Sequence, residues 1–504
     1  MDRSMTKLGS CLGAGTTKLD DLPEDILCVV FSRLPMRDAA RAGASCCTLL
    51  RVWRRQPDLI FDEDTLFRRG GTGTDLVRLV DATLLRHRTD TALQTLTVRS
   101  SCLHGDAAAS VRGWLRFALG STVTRRLTLD LSLAAAASSR NSCCLYDFPP
   151  LGAAAATALE HLHLRSGSLL LKKPPPKLTN LAAVVLDTVR VTSQGLERFL
   201  SSCYKLESLE LRRCDQIVHV RVPPAPRRLD LQVHRCRSVR SIRLSESHVT
   251  SLVFTGQNRR RRLLVVGQQG AQDTRRATFN LQYGRPSFPD EPPEAAAAAA
   301  LDRRLDPTSL AHAMPRLETL SLSLSILIRL KLSPNQRFLH LKHLNLSRSM
   351  DGNKRSDFRR FRFVVYFLRA APALESLKLH LLRTAPALDA SPGSLHLPTE
   401  QPRSPHQGLK AVHITGFSAD LALLQLALYI LENARALERL SLDPTQQDER
   451  DWPDMIHSYP GWFRKMTLAQ EAIDMHIGPV VESMSAAGSR TIQLLGLFHL
   501  CGSD

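Results

Sequence analysis

Aromatic residues make up only 5% of this 504-residue chain, although 43% of it is hydrophobic. Its core must therefore be mostly aliphatic, and few rings are free to stack on single-stranded nucleic acid. No apolar run is long enough to cross a bilayer. The opening residues, Met1-Asp2-Arg3-Ser4-Met5-Thr6-Lys7, are polar and no apolar signal core follows them. This argues against secretion. The eleven cysteines are scattered, adjacent only at Cys46-Cys47 and Cys143-Cys144, and never spaced C-x-x-C. A disulfide scaffold and a structural zinc site are both disfavoured, and a reducing setting in the nucleus and/or cytoplasm fits.

Acidic residues are in deficit, and the formal charge is +19. Such a charge invites nucleic acid or an acidic protein as partner. The arginines, however, are spread along the whole chain without interleaved aromatics. Only Arg259-Arg260-Arg261-Arg262 is a run, either a nuclear import signal or, preferably, a solvated loop. Gly70-Gly71-Thr72-Gly73-Thr74 lacks the lysine–serine ending of a phosphate-binding loop and reads as a linker. No serine–histidine, cysteine–histidine or nucleotide-binding arrangement stands out, so no catalytic residue, cofactor or metal is expected. His161 and His163 share one strand face but lack a third ligand. His343, His380 and His413 fall at different positions of their strands and are not expected to line up.

What is present is, first, a compact helical stretch. Asp20 and Asp21 can cap a helix start, and Pro23 suits a first turn. Ile26, Leu27, Val30, Phe31 and Leu34 recur at helical spacing on one face, and Pro35 ends the run. Further short helices are expected over residues 36–44 and 46–55. Three short apolar helices cannot bury all their faces on one another, so some of that surface needs another partner.

This stretch resembles an F-box. The matching residues are Leu22-Pro23-Glu24-Asp25-Ile26-Leu27, Leu34-Pro35-Met36-Arg37-Asp38-Ala39 and the segment from Leu49 to Trp53. The resemblance runs over residues 19–67, after an N-terminus at 1–18 expected to be disordered. Its tail is Pro57-Asp58-Leu59 and Phe61-Asp62-Glu63-Asp64. Leu49 stands where many plant members carry a first tryptophan. The resemblance implies docking on a Skp-type adaptor, and through it on a cullin. The implied contacts are Leu22, Pro23, Ile26, Leu27, Val30, Leu34, Pro35, Asp38, Ala39 and Trp53.

Second, a phrase apolar-x-x-apolar-x-apolar recurs from about residue 90. It reads Leu93-x-x-Leu96-x-Val98, Leu159-x-x-Leu162-x-Leu164, Leu181-x-x-Val184-x-Leu186 and Leu206-x-x-Leu209-x-Leu211. It returns at Leu317, Leu341, Leu374, Leu409 and Leu437, with a weaker copy at Leu127-x-Leu129. This is the leucine-rich-repeat signature, a strand plus a return segment per unit. The predicted fold is α/β: a three-helix F-box followed by an irregular leucine-rich-repeat horseshoe. Returns over residues 106–119, 194–203, 360–370 and 420–434 read as helices. Those at Ile217-x-x-Val220-x-Val222 and Val239-x-x-Ile242-x-Leu244 read as strands. Cys214 and Cys236, one repeat apart, read as buried structural residues.

Repeats are expected over 90–256 and 316–382, separated by a low-complexity insertion at 257–315 and followed by a loop at 383–407. The end, 408–504, resembles the FBD region of plant F-box proteins through Gly408-Leu409-Lys410-Ala411-Val412-His413-Ile414, Tyr429-Ile430-Leu431-Glu432-Asn433-Ala434 and Leu437-Glu438-Arg439-Leu440. A tail helix over 468–476 is expected to cap the last repeat. The x residues of each phrase offer a face for a target protein: His161, His163, Ser208, Glu210, Arg212, Asp230, Gln232, Asn345, Lys378 and His413, with His343, Ser376, Arg439 and Ser441 in equivalent places. The resemblance implies the substrate-recognition subunit of a Skp–cullin–F-box ubiquitin ligase, itself no enzyme. A leucine-rich-repeat scaffold without ligase role and a basic nucleic-acid-binding solenoid remain as alternatives.

Overall fold

A computed structural model of the chain describes residues 22–67, 72–87, 93–103, 105–133, 146–149, 157–169, 176–224, 228–244, 248–256, 264–266, 273–281, 304–305, 307–324, 329–330, 337–350, 358–383, 405–445, 460–486 and 492–495. Asp20, Asp21, Gly70, Gly71, the arginine run 259–262, the stretch 282–303 and Trp452 lie outside the described residues. The chain divides into two compact units, residues 1–168 and 169–504.

The first unit opens with α1 (Glu24–Arg33), α2 (Met36–Gly43) and α3 (Cys47–Arg54). Proline stands at the N-cap of both α1 and α2, where its missing N–H removes no helical bond. Leu34 is held extended ahead of Pro35, which separates the two helices. The Cys46 thiol accepts the Leu49 N–H at 3.4 Å and caps α3. Leu27, Phe31, Ala39, Leu49 and Val52 form the common core. The leucine at position 49 is thus an interior packing residue.

The repeat sheet begins earlier than the phrase count suggests. β1 (Asp58–Asp62) pairs in parallel with β2 (Thr95–Leu103), placing Leu59 beside Leu96 and Phe61 beside Val98. α4 (Glu63–Leu66) follows, its start capped by Asp62, whose carboxylate accepts the Asp64 N–H. What reads as a glycine linker instead starts α5 (Gly73–Arg86). Thr72 and Asp75 form a reciprocal capping box there. α6 (Ala108–Gly120) buries Val111, Trp114, Leu115, Ala118 and Leu119. The sheet continues through β3 (Arg126–Leu133) to a fourth strand at His161–Arg165, while Tyr146–Asp147 (β4) pairs with Gly167–Ser168. Counting in chain order, His161–Arg165 is β5 and Gly167–Ser168 is β6.

The second unit carries a parallel sheet of β7 (Ala183–Asp187), β8 (Ser208–Arg212), β10 (Leu229–His234), β12 (Val249–Thr255), β14 (Arg276–Leu281), β16 (Thr319–Leu324), β18 (His343–Met350), β19 (Ser376–Arg383), β20 (Ala411–Thr415), β21 (Arg439–Asp443) and β22 (Gln493–Leu495). Alternate residues face inward, as Leu209 and Leu211, Leu320 and Leu322, and Leu377 and Leu379 do. Each fully buried leucine contributes roughly 2 kcal/mol of hydrophobic stabilisation. The returns between β8 and β14 are themselves strands: β9 (His219–Arg221), β11 (Ser241–Arg243) and β13 (Leu264–Val266) form a second parallel sheet. Short strands at Arg304–Leu305 (β15) and Arg329–Leu330 (β17) make a separate pair.

Two expectations change. The stretch 257–315 holds a full sheet strand, β14, with Ala277 and Phe279 buried, and the helix α8 at Pro307–Ala313. The tail after residue 443 adds β22, paired with β21, so it extends the sheet as well as supplying helices. Its helical part is also longer than expected, running from Pro460 through a π-helical turn at Ile473–Ile477 to Ala486. The helical returns Ser193–Leu200 (α7), Arg362–Ala370 (α9) and Leu421–Asn433 (α10) lie where periodicity places them.

Several strands leave the sheet through a residue with left-handed backbone: Thr188, Arg213, Arg235 and Gly416 in this unit. At Thr188, Arg213 and Arg235 the N–H of that residue then reaches the neighbouring strand's last carbonyl, while the Gly416 N–H donates to Thr445, just past β21. Arg213 donates to His234 at 2.8 Å, and Thr188 to Arg212 at 2.8 Å.

Candidate partner-binding surfaces

The three N-terminal helices do not bury all the apolar residues of α1. Leu27 and Phe31 are interior, but Ile26 is 49% exposed and Val29 is 59% exposed. The apolar arc of this helix is wider than two short partners can cover. The single face expected from spacing is therefore split into an inward side and an outward side. Val29, one turn from Ile26, belongs to the outward side, and the i, i+3 relation was the available signal for it. Of the other expected adaptor contacts, Pro23, Pro35 and Asp38 are exposed and Leu22, Val30, Leu34 and Trp53 are half-buried. Leu27 and Ala39 are core residues of the cluster. They support the outward side from beneath.

The outward side is braced. Arg55, at the end of α3, donates to the Glu24 carboxylate at 2.5 Å, tying the start of α1 to α3. A Cβ on Gly43 would stand 3.0 Å from the Trp53 Cβ, so the glycine lets α2 approach α3 closely.

On the first unit's sheet, His161 and His163 are half-buried beside Leu162 and Leu164, and they do share a face. The charges in the row above them are matched: Arg99 lies 3.4 Å from Asp62, and Arg165 lies 2.8 Å from Asp130. The carboxylate of Glu63 is likewise occupied, accepting from Ser100 Oγ at 2.7 Å and the Ser101 N–H at 3.0 Å. These acidic residues are structural.

In the second unit, parallel register sets Ser208 beside Asp230 and Glu210 beside Gln232. Thr250 Oγ1 donates to Asp230 at 3.0 Å. Arg212 donates to Glu210 at 2.5 Å. His234, two residues beyond Gln232 on the same face, completes the group and was missed in the sequence. Its Nε2 lies 3.2 Å from Gln232 Oε1 and 3.6 Å from Glu210 Oε1. Burial pushes its pKa down, against the pull of Glu210 and with the help of Arg212 and Arg235. Further along, Asn345, Lys378 and His413 are successive rungs of β18, β19 and β20.

One expectation here is corrected and one refined. His343, His380 and His413 do not line up, as expected, since Lys378 rather than His380 stands opposite His413, but the His380 and His413 rings approach diagonally, centroids 6.4 Å apart, which the spacing did not suggest. Ser441 is buried and is not part of an open face. The cysteines behave as interior residues: Cys214 and Cys236 are 0% and 1% exposed, and the Cys214 N–H donates to Cys236 Sγ at 3.3 Å. Among the described residues, no group of three or more His, Cys, Asp or Glu side chains could hold a metal. No described helix is long and apolar enough to cross a membrane.

Comparison with known proteins agrees with this geometry. Residues 19–61 match the F-box domain family, and residues 84–485 match the family described as At1g61320/AtMIF1, LRR domain. The chain is 27% identical over 223 residues to the F-box/FBD/LRR-repeat protein At5g56420 of Arabidopsis thaliana, covering 43% of this chain and 49% of that one. It is 26% identical over 215 residues to the F-box/FBD/LRR-repeat protein At1g13570 of the same plant, covering 41% and 47%. The chain spans about half the length of the curated relatives it matches. With an F-box match on the helices and a leucine-rich-repeat match across most of the chain, this protein belongs to the plant F-box/leucine-rich-repeat family, its repeats being of the At1g61320/AtMIF1 type.

Proposed function

We propose that this chain is the substrate-recognition subunit of a Skp–cullin–F-box ubiquitin ligase. The carrying observation is the outward apolar side of α1, Ile26 and Val29 with exposed Pro23 beside them, on a segment that matches the F-box domain. Apolar surface of this kind, on helices too short to hide it, gains stability from a partner's apolar groove. A Skp-type adaptor is the partner that an F-box ordinarily docks on, and it links to a cullin. The repeats would hold a target protein near the ubiquitin-conjugating enzyme and raise its local concentration there. The chain itself would transfer nothing. This role belongs in the nucleus or cytoplasm, where its free cysteines persist reduced.

The test is co-purification with a Skp-type adaptor, comparing the natural chain with a Leu22→Ala/Pro23→Ala/Ile26→Asp variant. Capture by the natural chain, lost in a variant whose repeats still melt normally, supports the ligase subunit. A well-folded natural chain that captures no adaptor overturns it and leaves a repeat scaffold.

A further inference from the structure

The strand exits of β8 and β10 carry four exposed arginines: Arg212, Arg213, Arg235 and Arg237. Their surroundings differ in a way that repeat geometry makes plain. Arg213 and Arg235 hold equivalent places in consecutive repeats, each following the last residue of its strand, each with left-handed backbone (φ 50° and 54°). Only glycine adopts this conformation without cost. For Arg213 the cost has a structural return. Its guanidinium makes two bonds, 3.0 and 2.8 Å, to the carboxylate of Asp187 on the preceding strand.

The Arg235 side chain has no such partner, although its backbone N–H donates to the Thr255 carbonyl as at the other exits. The strand residue that should serve it, one strand back as Asp187 is for Arg213, is Arg212, since Arg212 pairs in register with both Asp187 and His234. Arg212 is itself held by Glu210. Among the described residues, no carboxylate lies within ion-pair distance of Arg235 or of Arg237. The nearby Asp215 is engaged by the backbone N–H of Arg237 at 2.9 Å. Two guanidinium groups thus face solvent beside two that are already paired, one of them on strained backbone.

We infer that the β8–β10 strand exits, through Arg235 and Arg237, dock an acidic segment of the target protein, its side-chain carboxylates taking the place that Asp187 fills for Arg213. This rests on the substrate-recognition reading. Glutamate- or aspartate-rich peptide fits better than nucleic acid. Among the described residues, the rim carries no exposed Phe, Tyr or Trp for bases to stack on.

The full chain is titrated with labelled hexaglutamate, with hexaglutamine as control and with a single-stranded DNA oligonucleotide as competitor, at low and at physiological salt. An Arg235→Gly/Arg237→Ser variant is run alongside, with its thermal midpoint and its adaptor binding. Salt-sensitive binding of hexaglutamate is expected, weakened roughly fivefold or more in the variant. The variant's midpoint should be unchanged or higher, because glycine relieves the backbone. Equal binding of hexaglutamine, an unaffected variant, a lowered midpoint with unchanged affinity, or DNA binding tighter than the acidic peptide would each overturn the inference. Adaptor binding that persists in those cases would keep the ligase reading and refute only this surface.

Discussion

The Thr274 hydroxyl donates to the carbonyl of Val249 at 2.7 Å, in a site from which solvent is fully excluded. Val249 opens one repeat phrase and Thr274 opens the next, so a threonine replaces the expected leucine and bonds back to its predecessor. The first unit repeats the arrangement: Thr124 Oγ1 donates to the carbonyl of Leu93 at 3.0 Å. In both places the hydroxyl is satisfied within the stack. Thr274→Val should cost about 1 kcal/mol by removing the bond while keeping the shape, measured by chemical denaturation. A larger loss would mean that the carbonyl has no other partner to turn to.

This substitution also explains which parts of the fold were legible. Repeats with leucine at the three phrase positions were plain, and their strands lie where the phrases are. β14 was hidden because its phrase reads Thr274-x-x-Ala277-x-Phe279 and sits among residues of low complexity. β1 was hidden because Leu59 and Phe61 follow the F-box tail without a leading leucine. α5 was available in the Thr72–Asp75 box, but glycines on both sides of Thr72 suggested a linker. Pairwise geometry was less legible. His234 lay on the right strand face, yet only the register with Glu210 brings it into the group.

Leu27 and Ile26 are neighbours in sequence with opposite roles. Leu27→Ala should destabilise the helical unit by about 2–4 kcal/mol, since it leaves a cavity in a core of five residues. Ile26→Asp should leave stability nearly unchanged. Thermal melts of both variants check the division.

Gly416 has φ 71°, and a Cβ there would fall 2.1 Å from the carbonyl oxygen of Leu381. Gly416→Ala should therefore cost more than about 2 kcal/mol, beyond the backbone penalty alone, because the obstacle is main chain. A denaturation midpoint equal to that of the natural chain would contradict this packing.

Thiol reactivity should follow burial. Burial pushes Cys203 up to about 12, and contact with Cys236 together with burial raises Cys214. Cys47 is exposed. A maleimide at neutral pH should label Cys47 in the folded protein and reach Cys203, Cys214 and Cys236 only in denaturant, as read by peptide mass mapping. Rapid native labelling or oxidation of Cys214 and Cys236 would contradict their structural burial.

Acid stability has a local contributor. Hydrogen bonds from the Thr72 hydroxyl and N–H, 2.7 and 3.1 Å, hold the Asp75 carboxyl below its usual range. A folded-state pKa below the unfolded one stabilises above the unfolded value and is lost as pH falls through the folded value. Asp75→Asn should flatten the acid side of the stability profile and leave its alkaline side alone.

The most direct measurement is the affinity of the full chain for a purified Skp-type adaptor, by calorimetry, with Ile26→Asp/Val29→Asp beside the natural sequence. Saturable one-to-one binding, weakened at least about a hundredfold in a variant that melts like the natural chain, is the predicted result. Equal affinity in the two proteins, or none in either, would contradict the claim that the outward side of α1 is the adaptor surface.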